Sequence, residues 1–247
     1  MKINCDMGES FGSWVKGNDA EVMPYIDMAN IACGFHASDP STMDKTVRCA
    51  VDNQVKIGAH PGYPDLIGFG RREMNVSAQD LEAMLIYQVG ALESFCRKYQ
   101  TTVSYIKPHG AMYNQMMKDE AMLKTIMQAV ATLSPQYPLV VMATPRNDVV
   151  REFAEQIGIN VWFEAFSDRS YDDEGFLVPR SVQGAVHNSL ELVTDQVTQI
   201  IMESSVTSIS GKTLKIDADT ICIHGDGDHA LSIAKAAMQC KGLKNEN

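Results

Sequence analysis

The chain has 247 residues, with 31 acidic and 21 basic side chains and a net charge of −10 near neutral pH. Such an acidic balance argues against nucleic acid and anionic membranes as partners, because both bind stripes of Lys and Arg. No run of about 18 apolar residues is present, so no membrane span is expected. Single (β/α) barrels commonly contain about 200–250 residues, and we interpret residues 1–247 as one such domain.

The six cysteines are scattered and include no Cys-x-x-Cys pair. Disulfide frameworks and structural zinc sites need clustered cysteines, so neither is predicted. The N-terminus has the composition of neither a signal peptide nor a transit peptide, and we interpret it as a first strand. These features together predict a protein of the reducing cytoplasm.

Seven short apolar runs recur along the chain, and most are followed by a polar or glycine-containing turn. Several are rich in β-branched residues, which is typical of strands buried on both faces. In chain order they span residues 3–5, 28–33, 55–59, 103–106, 139–143, 161–166 and 220–223.

Helical patterns lie between these runs, with apolar side chains spaced by three or four residues. They span residues 81–96, 122–133, 149–157 and 190–200. Asp39 followed by Pro40 predicts an N-cap and the first residue of another helix. Seven strands alternating with helices predict a parallel α/β protein.

Nearly every predicted strand ends in reactive side chains. They are, in chain order, Asp6 and Glu9, His36, His60, Lys107 and His109, Glu164 to Arg169, and His224 with Asp226. In a parallel barrel all these ends converge on one mouth, the usual place of the active site. An open sheet would bind ligands at one switch point, and several of these groups would then lie away from the ligand. We therefore predict a closed seven-stranded parallel (β/α) barrel.

Four histidines at four strand ends indicate a shared site, although a single such histidine is more often structural. Asp6, His60 and His109 are candidate ligands of a divalent metal ion with an open position for water. We interpret His187 and His229 as bystanders.

Two arginines follow the third predicted strand. Arg71 and Arg72 are candidates for clamping a carboxylate or phosphate, although a solvated pair is nearly as plausible. Cys33 has the context of an inert buried thiol rather than a nucleophile.

The segment Ser210-Gly211-Lys212-Thr213 resembles the end of a phosphate-binding loop. The glycine required four residues before Ser210 is replaced by Val206, so the motif fails. A hairpin with its turn at residues 210–212 is predicted instead, and we expect the chain by itself to bind ATP weakly.

Taken together, the motifs resemble the LamB/YcsF family, which supplies the first of the three components of the ATP-hydrolysing 5-oxoprolinase. The matching segments are residues 4–12, 29–36, 58–61, 63–65, 68–72, 107–111, 164–169 and 222–226. They run in order across essentially the whole chain. The segment Gly227-Asp228-His229 departs from the pattern expected after Asp226.

The resemblance implies a barrel similar to that of sugar deacetylases and glycoside hydrolases. It also implies ATP-driven opening of 5-oxo-L-proline to L-glutamate with two partner subunits, B and C, and ATP as co-substrate. In that reaction Asp6 or Glu9 is the candidate general base, and His60 and His109 are acid/base groups or metal ligands. Lys107 and Arg71 would steady the substrate carboxylate or the developing anion. The other candidate substrate-binding residues are His36, Glu164, Arg169, His224 and Asp226.

Two alternatives remain open at this point. A metal-dependent deacetylase of an N-acetyl sugar would use the same barrel mouth without ATP or partners. A non-catalytic subunit would only capture the lactam for its partners.

Overall fold

The computed structural model describes residues 1–187, 189–224 and 230–246. The strands in chain order are β1 (Lys2–Met7), β2 (Met28–Ala32), β3 (Lys56–His60), β4 (Tyr105–Ile106), β5 (Leu139–Met142), β6 (Val161–Phe166), β7 (Ser205–Thr207), β8 (Thr213–Lys215) and β9 (Thr220–His224). Seven form a closed barrel in the order β1-β2-β3-β4-β5-β6-β9, and every neighbouring pair is parallel. The predicted seven-stranded parallel barrel is confirmed.

Helices pack on the outside of the barrel. They are α1 (Asp19–Val22), α2 (Pro40–Asp52), α3 (Ala78–Lys98), α4 (Gly110–Met116), α5 (Glu120–Leu133), α6 (Asn147–Ile157), α7 (Leu190–Thr198) and α8 (Ala230–Glu246). A short 3-10 turn, Met23–Tyr25, extends α1, and a π-helical turn, Gln199–Glu203, extends α7. Within the described ranges, none of the helices combines the length and apolarity needed to cross a membrane.

Most predicted elements form where the sequence pattern indicates. The Asp39 side chain accepts hydrogen bonds from the amides of Ser41 and Thr42, and Pro40 is the first residue of α2. The predicted hairpin is formed by β7 and β8, with the Val206 side chain buried. The failed phosphate-loop motif therefore belongs to an antiparallel turn.

The fourth strand is shorter than predicted, with two residues instead of four. The amide of Lys107 still donates to the carbonyl of Ala59 at 2.8 Å. Pro108 has no amide hydrogen, so it cannot extend the ladder. Helices α1 and α4 are absent from the prediction because segments of four and seven residues are too short to show a clear period.

Alternate side chains of the barrel strands point inward. Near the amino ends of the strands the interior is apolar, where Met28, Tyr105 and Val140 pack with Trp162. A Cβ atom at Gly58 would lie 2.1 Å from the Tyr105 ring. The tyrosine crosses the interior only because Gly58 has no side chain. Above this layer the interior becomes polar.

Candidate functional site

A cavity of about 290 Å³ lies at the carboxyl ends of the barrel strands. Parallel barrels place their active sites at this end. The predicted site residues that line it are Asp6, Glu9, His60, Arg71, Lys107, His109, Arg169 and His224. His36 and Glu164 are buried behind its wall. Asp226 lies outside the described residues.

The Asp6 carboxylate forms the floor of the cavity. Its Oδ1 accepts a hydrogen bond from Asn30 Nδ2 at 2.8 Å and lies 3.0 Å from Lys107 Nζ. Its Oδ2 lies 3.4 Å from His60 Nε2. Burial would raise the pKa of Asp6, but the charges of His60 and Lys107 outweigh burial and hold this pKa well below its usual range. Asp6 is therefore ionised at neutral pH.

A neutral hydrogen-bond network supports Asp6 from below. Asn30 Nδ2 also donates to Asn4 Oδ1 at 2.7 Å, and Tyr105 Oη donates to Asn30 Oδ1 at 2.7 Å. Asn4 Nδ2 in turn donates to Thr220 Oγ1 at 2.8 Å. Sequence reasoning missed this network. Asn4 lies two residues before Asp6 on β1, so strand alternation alone places both on the inner face.

Lys107 is a buried cation beneath the cavity. Its Nζ lies 2.9 Å from Glu164 Oε1, 3.0 Å from Asp6 Oδ1 and 3.2 Å from Asn4 Oδ1. An ammonium group has three donors, and Nζ donates to Asp6 Oδ1, Asn4 Oδ1 and Cys222 Sγ, the last at 3.1 Å. Burial would lower the pKa of Lys107, but Asp6 and its other neighbours outweigh burial and raise this pKa well above its usual range. Lys107 therefore remains charged and, with His60, keeps Asp6 ionised.

His60 and His109 face each other with their ring nitrogens. His60 Nδ1 lies 2.7 Å from the Lys107 carbonyl, and His109 Nε2 lies 2.8 Å from the Phe69 carbonyl. A carbonyl only accepts, so both of these nitrogens carry hydrogen. The remaining nitrogens, His60 Nε2 and His109 Nδ1, are 2.9 Å apart. Two neutral rings would present two lone pairs to each other, so the pair needs a proton or another cation.

His36 supports His109 from behind. The two rings stack with centroids 3.7 Å apart and an interplanar angle of 2°. Burial lowers the pKa of His36 and of His109 well below the usual range, and the neighbouring imidazoles act in the same direction. A Cβ atom at Gly70, where φ is +63°, would lie 2.7 Å from His36 Cβ. The glycine lets the loop after β3 approach both rings.

His224 lines the opposite wall of the cavity and is paired with Asp168. His224 Nδ1 lies 2.8 and 2.9 Å from the two carboxylate oxygens of Asp168. Burial would lower the pKa of His224, but the Asp168 carboxylate outweighs burial and raises this pKa. Burial would raise the pKa of Asp168, and His224 reverses that effect. Asp168 is absent from the predicted site residues because nothing in its local sequence indicates a partner 56 residues away.

Arginine side chains from two loops reach the cavity. Arg169 is buried and donates to the carbonyls of Ala185 at 3.2 Å and Val178 at 2.6 Å. Burial lowers the pKa of Arg169 to about 10, and the charge of Arg180 acts in the same direction. Arg169 therefore holds the loop after β6 in place, while Arg71 and Arg180 also line the cavity.

Arg71 and Arg72 do not form a joint clamp. Arg72 is paired with Asp65, whose two carboxylate oxygens each lie 3.0 Å from Arg72 Nε. Arg71 lines the cavity, with its guanidinium 5.0 Å from the centre of the Phe69 ring. Of these two arginines, Arg71 lines the cavity and Arg72 does not.

The predicted metal ligands come from two neighbouring groups of donor atoms. Among the described residues, each group has its atoms within 4.8 Å of one another, and the groups are Glu9, His36, His60 and His109, and Asp6, Cys222 and His224. His60 Nε2 joins the groups, at 3.4 Å from Asp6 and 2.9 Å from His109. Carboxylate oxygen and imidazole nitrogen suit a divalent ion such as zinc. The facing lone pairs of His60 and His109 give these residues a place for a cation.

Two further sequence interpretations concern residues away from the cavity. Burial raises the pKa of Cys33 to about 12, so its thiol stays protonated, as expected of an inert cysteine. His187 does not line the cavity, and its Nε2 lies 3.1 Å from Gln196 Oε1. His229 lies outside the described residues.

Comparisons with known proteins agree on one family. Residues 1–246 match the LamB/YcsF family. The chain is 50% identical to the 5-oxoprolinase A-type subunit of Pseudomonas fluorescens, over 97% of this chain and 96% of that protein. It is 49% identical to the corresponding 5-oxoprolinase subunit of Chromohalobacter salexigens, over 99% and 98%.

A solved structure agrees with the sequence relatives. The lactam utilization protein of Thermus thermophilus superposes with a TM-score of 0.90 at 37% identity, over 99% of this chain and 97% of that one. The fold, the sequence identity and the nearly complete coverage of both chains agree with the family match. The chain belongs to the LamB/YcsF family.

Proposed function

We propose that this chain is the A-type subunit of an ATP-hydrolysing 5-oxoprolinase, which opens the ring of 5-oxo-L-proline to L-glutamate with two partner subunits, B and C. The relatives that carry the name of this 5-oxoprolinase component match over nearly their whole length. On this proposal the barrel cavity is the place where the lactam is attacked.

The observation that carries the proposal is the ionised Asp6 carboxylate on the cavity floor. A general base must be unprotonated and within reach of the attacking water. Asn30 and Lys107 occupy Oδ1, whereas Oδ2 lies on the side of His60. Oδ2 is therefore the proposed proton acceptor. Lys107 acts by keeping Asp6 ionised rather than by contacting substrate.

A five-membered lactam resists hydrolysis because attack on its carbonyl destroys amide resonance and expels a poor leaving group. Phosphorylation of the carbonyl oxygen, which we assign to ATP and the partner subunits, makes the carbon electrophilic. Asp6 then takes a proton from water as the oxygen bonds to that carbon. Breaking of the carbon–nitrogen bond leaves an acyl phosphate, and a second water releases the phosphoryl group as inorganic phosphate to give L-glutamate.

Asp6, His60 and His109 are also the proposed ligands of a divalent ion. When bound, such an ion would supply a Lewis acid at the cavity floor. Glu9, whose Oε1 lies 3.8 Å from His109 Nδ1, is the alternative base. Arg71, at the cavity wall, is the proposed partner of the substrate carboxylate, because a guanidinium binds a carboxylate through two parallel hydrogen bonds.

The ATP site is proposed to lie on the partners. Residues 210–212 lie in the turn of the hairpin, and Thr213 is the first residue of β8. Val206 replaces the glycine that a phosphate-binding loop requires. The isolated chain should therefore bind ATP weakly and hydrolyse it negligibly. Micromolar ATP affinity in isothermal titration of this chain alone would contradict this assignment.

The decisive test is reconstitution. Glutamate formation from 5-oxoproline and ATP is measured for the chain alone, for the two partner subunits alone, and for all three together. Turnover only in the complete mixture supports the proposal. Release of acetate from an N-acetyl sugar by the isolated chain would favour a deacetylase instead. Full turnover by a complex with its cavity residues substituted would favour a non-catalytic subunit.

A further inference from the structure

The Asp168–His224 pair occupies a definite position relative to Asp6. His224 is the last residue of β9 and is the register partner of Asp6 on β1. His60 lies on the other side of Asp6, since β2 and β3 follow β1 around the barrel. Asp6 therefore has one imidazole on each side, His60 on one wall of the cavity and His224 on the other.

Asp168 determines which nitrogen of His224 faces the cavity. The carboxylate only accepts hydrogen bonds, so Nδ1, which contacts both of its oxygens, carries hydrogen. Nε2 is then the nitrogen left to exchange a proton with a ligand. An imidazole oriented in this way by a carboxylate is the arrangement that proton-transfer catalysis requires.

The surroundings fix the pair in place. Ser167 donates to the carbonyl of Cys222 through its amide at 3.1 Å and through its hydroxyl at 2.8 Å, which ties the end of β6 to β9. The amide of His187 donates to the carbonyl of Asp168 at 2.9 Å. The Phe166 ring lies beside the His224 ring, with centroids 6.2 Å apart. Contacts from β6, from β9 and from the segment around His187 thus hold Asp168 and His224 together.

Ring opening requires two proton transfers that one group cannot make at once. Water loses a proton as its oxygen bonds to the carbonyl carbon, and the ring nitrogen gains one as the carbon–nitrogen bond breaks. Asp6 is ionised, so it can accept the first proton but has none to give until it has done so. Lys107 has its three donors engaged by Asp6, Asn4 and Cys222.

We propose that His224 is the catalytic residue that protonates the leaving ring nitrogen through Nε2, and that Asp168 is its positioning residue. This inference rests on the proposed 5-oxoprolinase function. The Nε2–H bond of the imidazolium breaks as an N–H bond forms on the substrate nitrogen, which keeps the electron pair of the broken carbon–nitrogen bond. His224 regains a proton from solvent before the next turnover.

The experiment compares complexes reconstituted with full-length variants. His224→Asn keeps an amide able to donate to Asp168 but has no nitrogen that exchanges a proton, so kcat should fall by about 10²–10⁴-fold with KM nearly unchanged. Asp168→Asn should lower kcat by at least about tenfold, and Asp168→Glu should recover part of the loss. Asp195→Asn, an exposed aspartate on α7, is the matched control and should behave as wild type.

A second measurement separates positioning from folding. The ¹⁵N shifts of the His224 ring in the isolated chain should show hydrogen on Nδ1 in the wild type and a changed pattern in Asp168→Asn. Thermal unfolding should remain native-like in both variants. A rise in KM with unchanged kcat in His224→Asn would overturn the inference and leave His224 a substrate-binding residue.

The inference and the function on which it rests fail differently. An active wild-type complex whose His224→Asn variant keeps kcat within about twofold would overturn the inference alone. A wild-type complex without glutamate formation would overturn the proposed function, and the role of His224 with it.

Discussion

His60 and His224 stand at the ends of two barrel strands and face the same cavity, yet their surroundings differ. Nδ1 of His60 is bonded to a backbone carbonyl, whereas Nδ1 of His224 is bonded to a carboxylate. The His60 side chain is 1% exposed and that of His224 is 16% exposed. The partner on Nδ1 therefore distinguishes the rings: a carbonyl only orients an imidazole, and a carboxylate also stabilises its charged form.

The two walls also differ in how deeply their charges are embedded. Beside the His60 wall, Asp6 and Lys107 at the cavity floor belong to a network that continues through Asn4 and Asn30 to the barrel interior. On the His224 wall, Asp168 belongs to the segment that follows β6. Changes on the first wall should therefore affect both stability and turnover, and changes on the second mainly turnover.

The largest expected effect is that of Asp6→Asn. The substitution keeps the shape of the side chain and removes its charge and basicity. Turnover of the reconstituted complex should fall by about 10²–10⁴-fold, which is the usual contribution of a general base. Glutamate formation under saturating substrate is the measurement.

The Asp6→Asn variant should still unfold cooperatively, because Glu164 still accompanies Lys107, but at a lower midpoint, because one carboxylate of a buried ion pair is lost. Near-full activity in this variant would show that Asp6 is not the base. Glu9→Gln would then be the next variant to assay.

The second largest effect is expected for Lys107→Met, and it concerns the stability of the fold. Lys107→Met removes a buried cation and leaves the Asp6 and Glu164 carboxyl groups without it. Loss of one partner of a buried ion pair typically destabilises a protein by about 3–5 kcal/mol. Urea unfolding should show a shift of this size, and Lys45→Met, at an exposed position on α2, should show little change. Equal midpoints for the two variants would contradict the assigned role of Lys107.

A smaller effect on the free energy of unfolding is expected for a carboxylate outside the cavity. Asp39 caps α2 and also accepts from the amide of Gly12 at 2.9 Å. Asp39→Ala should lower the free energy of unfolding by about 1 kcal/mol at neutral pH, as expected for loss of an N-cap. Chemical unfolding of both proteins across pH is the measurement.

The pH dependence of that difference has a definite sign. Hydrogen bonds from Gly12 and Thr42 lower the pKa of Asp39 to about 2. A carboxylate with a depressed pKa stabilises the fold above its unfolded pKa of about 3.9. The advantage of wild type over Asp39→Ala should therefore shrink as pH falls from about 4 towards 2. A difference that grows over this range would refute the assignment.

The smallest effect is expected for His187→Ala. This side chain bonds Gln196 and does not line the cavity, so turnover should change by less than about twofold. Loss of activity in this variant together with an active Asp6→Asn would contradict the placement of the site at the barrel mouth.

Much of the site was predictable because strand ends are local features. Asp6, His60, Lys107 and His109 each follow an apolar run, and a parallel barrel brings such positions together. Asn4 and Asn30 were within reach of the same reasoning through the two-residue alternation of strands. Asp168 also follows a predicted strand, but its pairing with His224 was not predictable, since this histidine lies at the end of a different strand.

The sequence by itself determined the alternation of strands and helices, the closure into a seven-stranded barrel and the end at which reactive side chains collect. Periodicity and turn residues are local, so they can be read along the chain. Only the tertiary structure decided that His60 is held by the Lys107 carbonyl and His224 by Asp168, across 47 and 56 residues of chain. The state of an imidazole depends on the atom that its nitrogen meets, and packing, rather than spacing along the chain, places that atom.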